Sequence, residues 1–144
     1  MSLMQSEVDT LLKMEKKFVY PKLLSLGNIA MDESYDLISL DGREKFILDI
    51  WRSGINLAKY TFNNRSRMIY RLVRVDIGGS PHRNPDHTKV LCPHIHIYKE
   101  GYDDKWAYPL SDYAFRTPND IRVVLEDFAK FCKIIELPPC QEKF

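Results

Sequence analysis

Apolar and polar residues alternate with a period of two through the middle of the chain and recur at helical spacing towards its two ends. Near the start, Val8, Leu11, Leu12, Phe18 and Val19 fall on one helical stripe. Ser6-Glu7-Val8-Asp9 has the form of a capping box with Asp in place of Glu, and Pro21 marks the expected stop. Lys13, Lys16, Lys17 and Lys22 read as the solvated face and final turn of that helix, where positive charge suits the dipole. The second helical stripe is Ile121, Val124, Leu125, Phe128, Cys132 and Ile135. Thr117 is its expected N-cap, with Pro118 at the first helical position and Asp120 at the third. Pro138-Pro139 closes the pattern.

Between the helices the pattern predicts strands over 34–40, 45–52, 55–62 and 68–77. In the second, Phe46, Leu48 and Ile50 share one face, while Ile47, Asp49 and Trp51 share the other. Asp41-Gly42, Ser53-Gly54 and Asn63-Asn64 supply the turns, which are short enough to require antiparallel neighbours. A long loop over 78–91 follows, then a strand over 93–99 and an edge strand over 105–110 that ends near Pro109. The expected fold class is α+β. An antiparallel meander sheet of five to six strands should carry the N-terminal and C-terminal helices on one face, as one domain over 1–144 with a loose tail from about 137.

Composition narrows the function classes. Of 144 residues, 44% are hydrophobic and 28% charged, which excludes global disorder. A net charge of +1 does not by itself imply a nucleic-acid partner. There is no basic, then apolar, leader pattern and no apolar run of about 18 residues, so a cytoplasmic protein without a membrane partner is expected. Three cysteines without a CxxC pair suit a reducing compartment, with Cys132 on an apolar helix face and Cys140 in a polar tail.

The candidate chemistry is concentrated. His82, His87, His94 and His96 are the only four histidines, and the last two alternate on one predicted strand. Period-two geometry puts His94, His96 and Tyr98 on one face, with Cys92 in line behind them. Imidazole and phenol can move protons, so these three are the candidate catalytic residues of a small hydrolase or nuclease. His94, His96 and Cys92 are also candidate metal ligands, with His87 or His82 folding back from the loop, because zinc takes nitrogen and sulfur donors. No HExxH or paired CxxC supports either reading, and a His-x-His strand can be a plain structural face.

Charge is uneven along the same stretch. Seven basic residues face two acidic ones between 63 and 99. Arg65, Arg67, Arg71 and Arg74 are the candidate phosphate or nucleic-acid contacts, since guanidinium grips phosphate bidentately. Strand parity opposes a joint site, because Arg71 shares a face with Val73 and Val75 while Arg74 lies on the other.

Pro93-His94-Ile95-His96-Ile97-Tyr98, with Glu100-Gly101-Tyr102, Asp104-Lys105-Trp106-Ala107 and Pro109-Leu110, resembles the central motif of a family of small uncharacterised bacterial proteins. Glu44-Lys45-Phe46-Ile47-Leu48-Asp49-Ile50 is similar to another part of it. The resemblance implies a bacterial cytosolic or prophage setting and transfers no catalytic residue. The expected role is a non-enzymatic module that binds a protein or nucleic acid, with no cofactor. The alternatives are the His-x-His hydrolase or nuclease and a metal-binding protein. The sequence does not fix the oligomeric state.

Overall fold

The computed structural model describes residues 2–20, 23–27 and 30–143. Pro21 and Lys22 lie outside them. The fold is α+β, built on a seven-stranded antiparallel sheet. In chain order the elements are α1 (Gln5–Lys13), β1 (Lys16–Phe18), β2 (Leu24–Gly27), β3 (Met31–Ser39), β4 (Lys45–Arg52), β5 (Tyr60–Ser66) and β6 (Tyr70–Ile77). Then come β7 (His82–Arg83), β8 (Lys89–Val90), β9 (His94–Ile97), β10 (Ala107–Pro109), α2 (Ile121–Cys132) and β11 (Cys140–Lys143). The large sheet runs β1-β3-β4-β5-β6-β9-β10, and β7 with β8 forms a separate hairpin between β6 and β9.

Alternation explains β4, whose Phe46, Leu48 and Ile50 are buried as expected. Val8 and Leu11 of α1 and Val124, Leu125, Phe128 and Cys132 of α2 join one buried cluster with Leu37, Leu48, Phe62, Val73, Val75 and Ile95 of the sheet. α2 begins later than the sequence suggests. Asp120, not Thr117, is its N-cap, and its carboxylate accepts the Arg122 N–H at 3.0 Å. Thr117 instead accepts from the Asn119 N–H in a local turn. The helix ends at Lys133 in the left-handed region, so Ile135 leaves the stripe and bonds the Lys16 carbonyl at 2.8 Å.

The first helix is also shorter than its pattern. It stops at Lys13 because the following residues enter the sheet, where Lys16, Lys17 and Phe18 pair with Ser39, Ile38 and Leu37. Phe18 packs edge-on against Tyr35 at 6.0 Å. Its cap also starts earlier, with Glu7 accepting the Met4 N–H at 3.2 Å. Lys16 is not a solvated residue: it is 0% exposed. Its ammonium donates to the Met14 and Cys132 carbonyls at 2.9 and 2.7 Å and sits over the Phe46 ring.

Asn63 and Asn64 do not turn the chain. Both are buried within β5, and the reversal comes at Arg67 and Met68, each at positive φ. Cys140–Lys143, expected in a loose tail, pairs in parallel with Leu24–Gly27. Gly78 ends β6 at φ +72, and a Cβ there would strike the Ala58 carbonyl. This close approach fixes where the long loop departs.

Candidate metal centre

Register creates the site. β6 and β9 pair so that Arg74 lies opposite His96 and Asp76 opposite His94, which puts all four on the sheet face away from Val73, Val75 and Ile95. The Asp76 Oδ2 atom lies 3.1 Å from His94 Nε2, 3.2 Å from His96 Nε2 and 3.2 Å from Arg74 Nε. Its Oδ1 accepts the Thr61 hydroxyl at 2.9 Å. His94 and His96 are 3% and 1% exposed. Burial pushes the Asp76 carboxyl upward, but the hydrogen bond from His94 and the charge of Arg74 outweigh it and hold the group well below the usual carboxylate range.

Protons can be placed from the partners. His96 Nδ1 is 2.8 Å from the Asp104 carbonyl, an acceptor only, so that nitrogen carries the hydrogen. The Nε2 lone pair is then free, and Arg74 Nη2 donates to it at 3.0 Å. His82 repeats the logic one residue on: its Nε2 is 2.7 Å from the Lys105 carbonyl, which leaves Nδ1 as the lone-pair nitrogen. The His82 ring stands edge-on to His96 with centroids 4.6 Å apart and lies 6.0 Å from His94. Asn84 secures this hairpin by a double bond pattern with Ala107, accepting its N–H at 2.8 Å and donating to its carbonyl at 3.0 Å. His94 Nδ1 is buried and has no hydrogen-bond partner among the described residues.

Among the described residues, Asp76, His94 and His96 form a group whose potential ligand atoms all lie within 4.8 Å of one another. Donors about 2.0–2.1 Å from a tetrahedral zinc are about 3.3–3.4 Å apart. The two Asp76–histidine separations of 3.1 and 3.2 Å are close to that edge length. Two histidines and one carboxylate also form a donor set used by iron and zinc.

The other sequence candidates fall outside this group. His87 is exposed at φ +71 in the hairpin turn, where its N–H bonds the Asn84 carbonyl. The Cys92 thiol donates to the Asp76 main-chain carbonyl at 3.1 Å and accepts the Gly79 N–H at 3.2 Å. Tyr98 has its hydroxyl committed elsewhere, accepting the Leu3 N–H at 2.9 Å and donating to Asp103 at 3.0 Å. Sequence parity missed Asp76, although it is one of only two acidic residues in the basic stretch and shares the polar face of β6 with Arg74. It also undervalued His82.

A β-bulge removes the parity objection to the arginines. Asn64 faces Val73 but Arg65 faces Arg71, so Leu72 is an extra residue in β6. Arg71 thereby shifts to the face of Arg74, and both lie 3.6 Å from the Asp104 carboxylate. The basic excess, however, is local to the sequence. Arg65 forks onto Asp49 at 2.6 and 3.0 Å, and Arg67 pairs with Glu44 at 2.9 Å and Glu7 at 3.4 Å. Carboxylates from outside the stretch thus face every one of the four arginines.

The Asp49–Arg65 pair has a measurable consequence. Burial raises the Asp49 carboxyl, but hydrogen bonds from Arg65, Ser34 and Asn63 hold it below its ordinary value of 3.8. A depressed acid stabilises the fold above its unfolded value and loses that contribution as pH falls through the folded one. Arg65→Ala is expected to cost about 1.5–3 kcal/mol at neutral pH, the range for hydrogen bonds to charged groups. The difference from the native chain should shrink as pH drops below about 4. Denaturant melts of both proteins across that range check it.

An apolar cavity of about 310 Å³ lies on β3 and β4 against Val19, Tyr20 and Met68, and no histidine lines it. Among the described residues its charged lining is Asp36 and Lys45. No helix among the described residues is long and apolar enough to cross a membrane.

The fold and the buried His-Asp group thus define an α+β protein with a candidate metal centre on its sheet. The chain belongs to a family of unknown function, DUF6978, whose profile matches residues 3–134. Comparison with curated proteins and with solved structures found no match.

Proposed function

We propose that this protein binds a divalent transition metal, zinc by donor type, through Asp76, His94 and His96. The observation that carries the reading is the 3.1–3.2 Å spacing of two imidazole nitrogens from one carboxylate oxygen. The Asp104 carbonyl supports it, because it orients His96 with a bare nitrogen towards Asp76, as backbone carbonyls do for metal-bound histidines. His82, whose ring centroid is 4.6 Å from that of His96, is the candidate for a fourth position. The hydrolase or nuclease reading has an arginine beside His96 in its favour, but both imidazoles are almost fully covered, which leaves a polynucleotide little to approach. A protein or nucleic-acid partner would use the open polar face of the sheet. The bacterial, mobile-element and cytoplasmic setting implied by the motif over 93–110 belongs to this proposal as well.

Titration with Zn²⁺ by calorimetry tests the reading. The native chain should bind one ion saturably. His94→Ala and His96→Ala should each weaken binding by at least about 100-fold, more than loss of an outer-shell partner costs. His87→Ala and Cys92→Ala should leave it unchanged. Absence of saturable binding by the folded native chain overturns the proposal.

A further inference from the structure

Arg74 occupies the place the metal would take. Its Nε is 3.2 Å from Asp76 Oδ2, and its Nη2 is 3.0 Å from His96 Nε2. These are two of the three donor atoms of the candidate centre. A guanidinium that donates to a carboxylate and to a neutral imidazole lone pair meets the same electrostatic need as a cation bound there. The two cannot hold those lone pairs together, so metal entry requires the guanidinium to leave.

A destination is already in place. The Asp104 carboxylate is 3.6 Å from Arg74 Nη1, and Arg71 is 3.6 Å from the same carboxylate oxygen. The Asp104 main-chain carbonyl meanwhile holds the His96 ring through Nδ1. Arg74 can therefore turn from Asp76 to Asp104 without disturbing the imidazole it vacates. Its side chain is 26% exposed, which leaves room for that rotation. The bulge at Leu72 brings Arg71 to the same carboxylate, so a departing Arg74 would share Asp104 with a second guanidinium.

We propose that Arg74 is a built-in competitor that regulates this centre: its guanidinium closes the metal-free site on Asp76 and His96, and metal binding exchanges it onto Asp104. The proposal rests on the metal reading above and adds a sign that reading lacks, since removing a nearby residue should tighten binding. Metal affinity is then set by a competition inside the chain as well as by the ligands.

The test is Zn²⁺ affinity of the native chain, Arg74→Met, Asp104→Asn and the double variant, each first shown to be folded by its melting curve. Arg74→Met should bind Zn²⁺ at least about tenfold more tightly, roughly 1.4 kcal/mol, because the guanidinium's bonds to Asp76 and His96 no longer have to be displaced. Asp104→Asn should weaken binding more when Arg74 is present than in the Arg74→Met background. In the native chain, the Arg74 Nε–H resonance should move on adding Zn²⁺. Equal or weaker binding by Arg74→Met, with the native chain still binding, overturns the exchange and leaves the metal centre standing. If no chain binds Zn²⁺, both readings fall. If Arg74→Met does not fold, Asp104→Asn alone decides: unchanged affinity refutes the exchange.

Discussion

Phe128→Ala is expected to destabilise the protein by about 3–5 kcal/mol and to lower its melting temperature by roughly 10 °C or more. Phe128 is completely buried, and its ring lies 5.7 Å from that of Phe62 at a tilt of 36°. It sits where the stripe of α2 meets the inner face of β5. Truncation removes the ring's apolar burial and leaves a cavity between two rigid layers that cannot close over it. Ile55→Ala is the internal control. That side chain is fully exposed, so its loss should change stability by no more than about 0.5 kcal/mol. Equal melting curves for Phe128→Ala and the native chain would show that α2 contributes little to the core.

Lys16 should make the protein more stable as the solution turns alkaline. Burial draws its ammonium down from 10.5 to about 8. Below pH 8 the folded chain carries this buried charge at a cost. Between that value and 10.5 the folded lysine is neutral while the unfolded one still holds its proton. The unfolded state then binds more protons, so stability rises with pH. Over that interval the native chain should gain about 3 kcal/mol relative to Lys16→Met, at 1.36 kcal/mol per unit. The comparison cancels other titrating groups. Denaturant melts of the two proteins at a series of pH values from 7 to 10.5 read it directly. A constant difference would mean that the Met14 and Cys132 carbonyls hold the ammonium charged against its burial.

The same residue shows where sequence reasoning fails. Lys16 sits among other lysines at helical spacing, and local pattern makes it solvated. Its burial follows from β1 bonding both β3 and the segment after α2, through the Lys133 carbonyl at 2.8 Å. That pairing joins residues more than a hundred positions apart and has no local trace. Strands β4 and β9 and the apolar face of α2 were legible because alternation or a stripe persists through them, as it does through β6 from Val73 to Ile77. Asn63-Asn64 misled because asparagine pairs favour turns, whereas Arg67 and Met68 reverse the chain without the glycine or asparagine that positive φ usually selects.

The candidate centre was half legible. His94 and His96 are adjacent on one face by parity alone. Asp76 and Arg74 join them only through the β6–β9 register, and His82 only through the docking of a hairpin by Asn84. The arginines misled for the opposite reason. Their charge was counted along the chain, while Asp49, Glu44, Glu7 and Asp104 answer it across the sheet.

Leu72 makes β6 run on two clocks. From Val73 to Ile77 the odd positions face the core, and below the extra residue the beat is displaced by one. A sequence written with strict alternation through this strand would look better by every local rule. It would also turn Arg71 towards the core, where an unpaired guanidinium costs several kcal/mol. Removing Leu72 would instead leave Arg71 opposite Arg65, at the cost of the buried leucine and of the bond its carbonyl accepts from the Tyr98 N–H at 2.8 Å. For anyone transplanting this centre into another sheet, the tolerable edit is therefore a deletion, and the intolerable one is a repair.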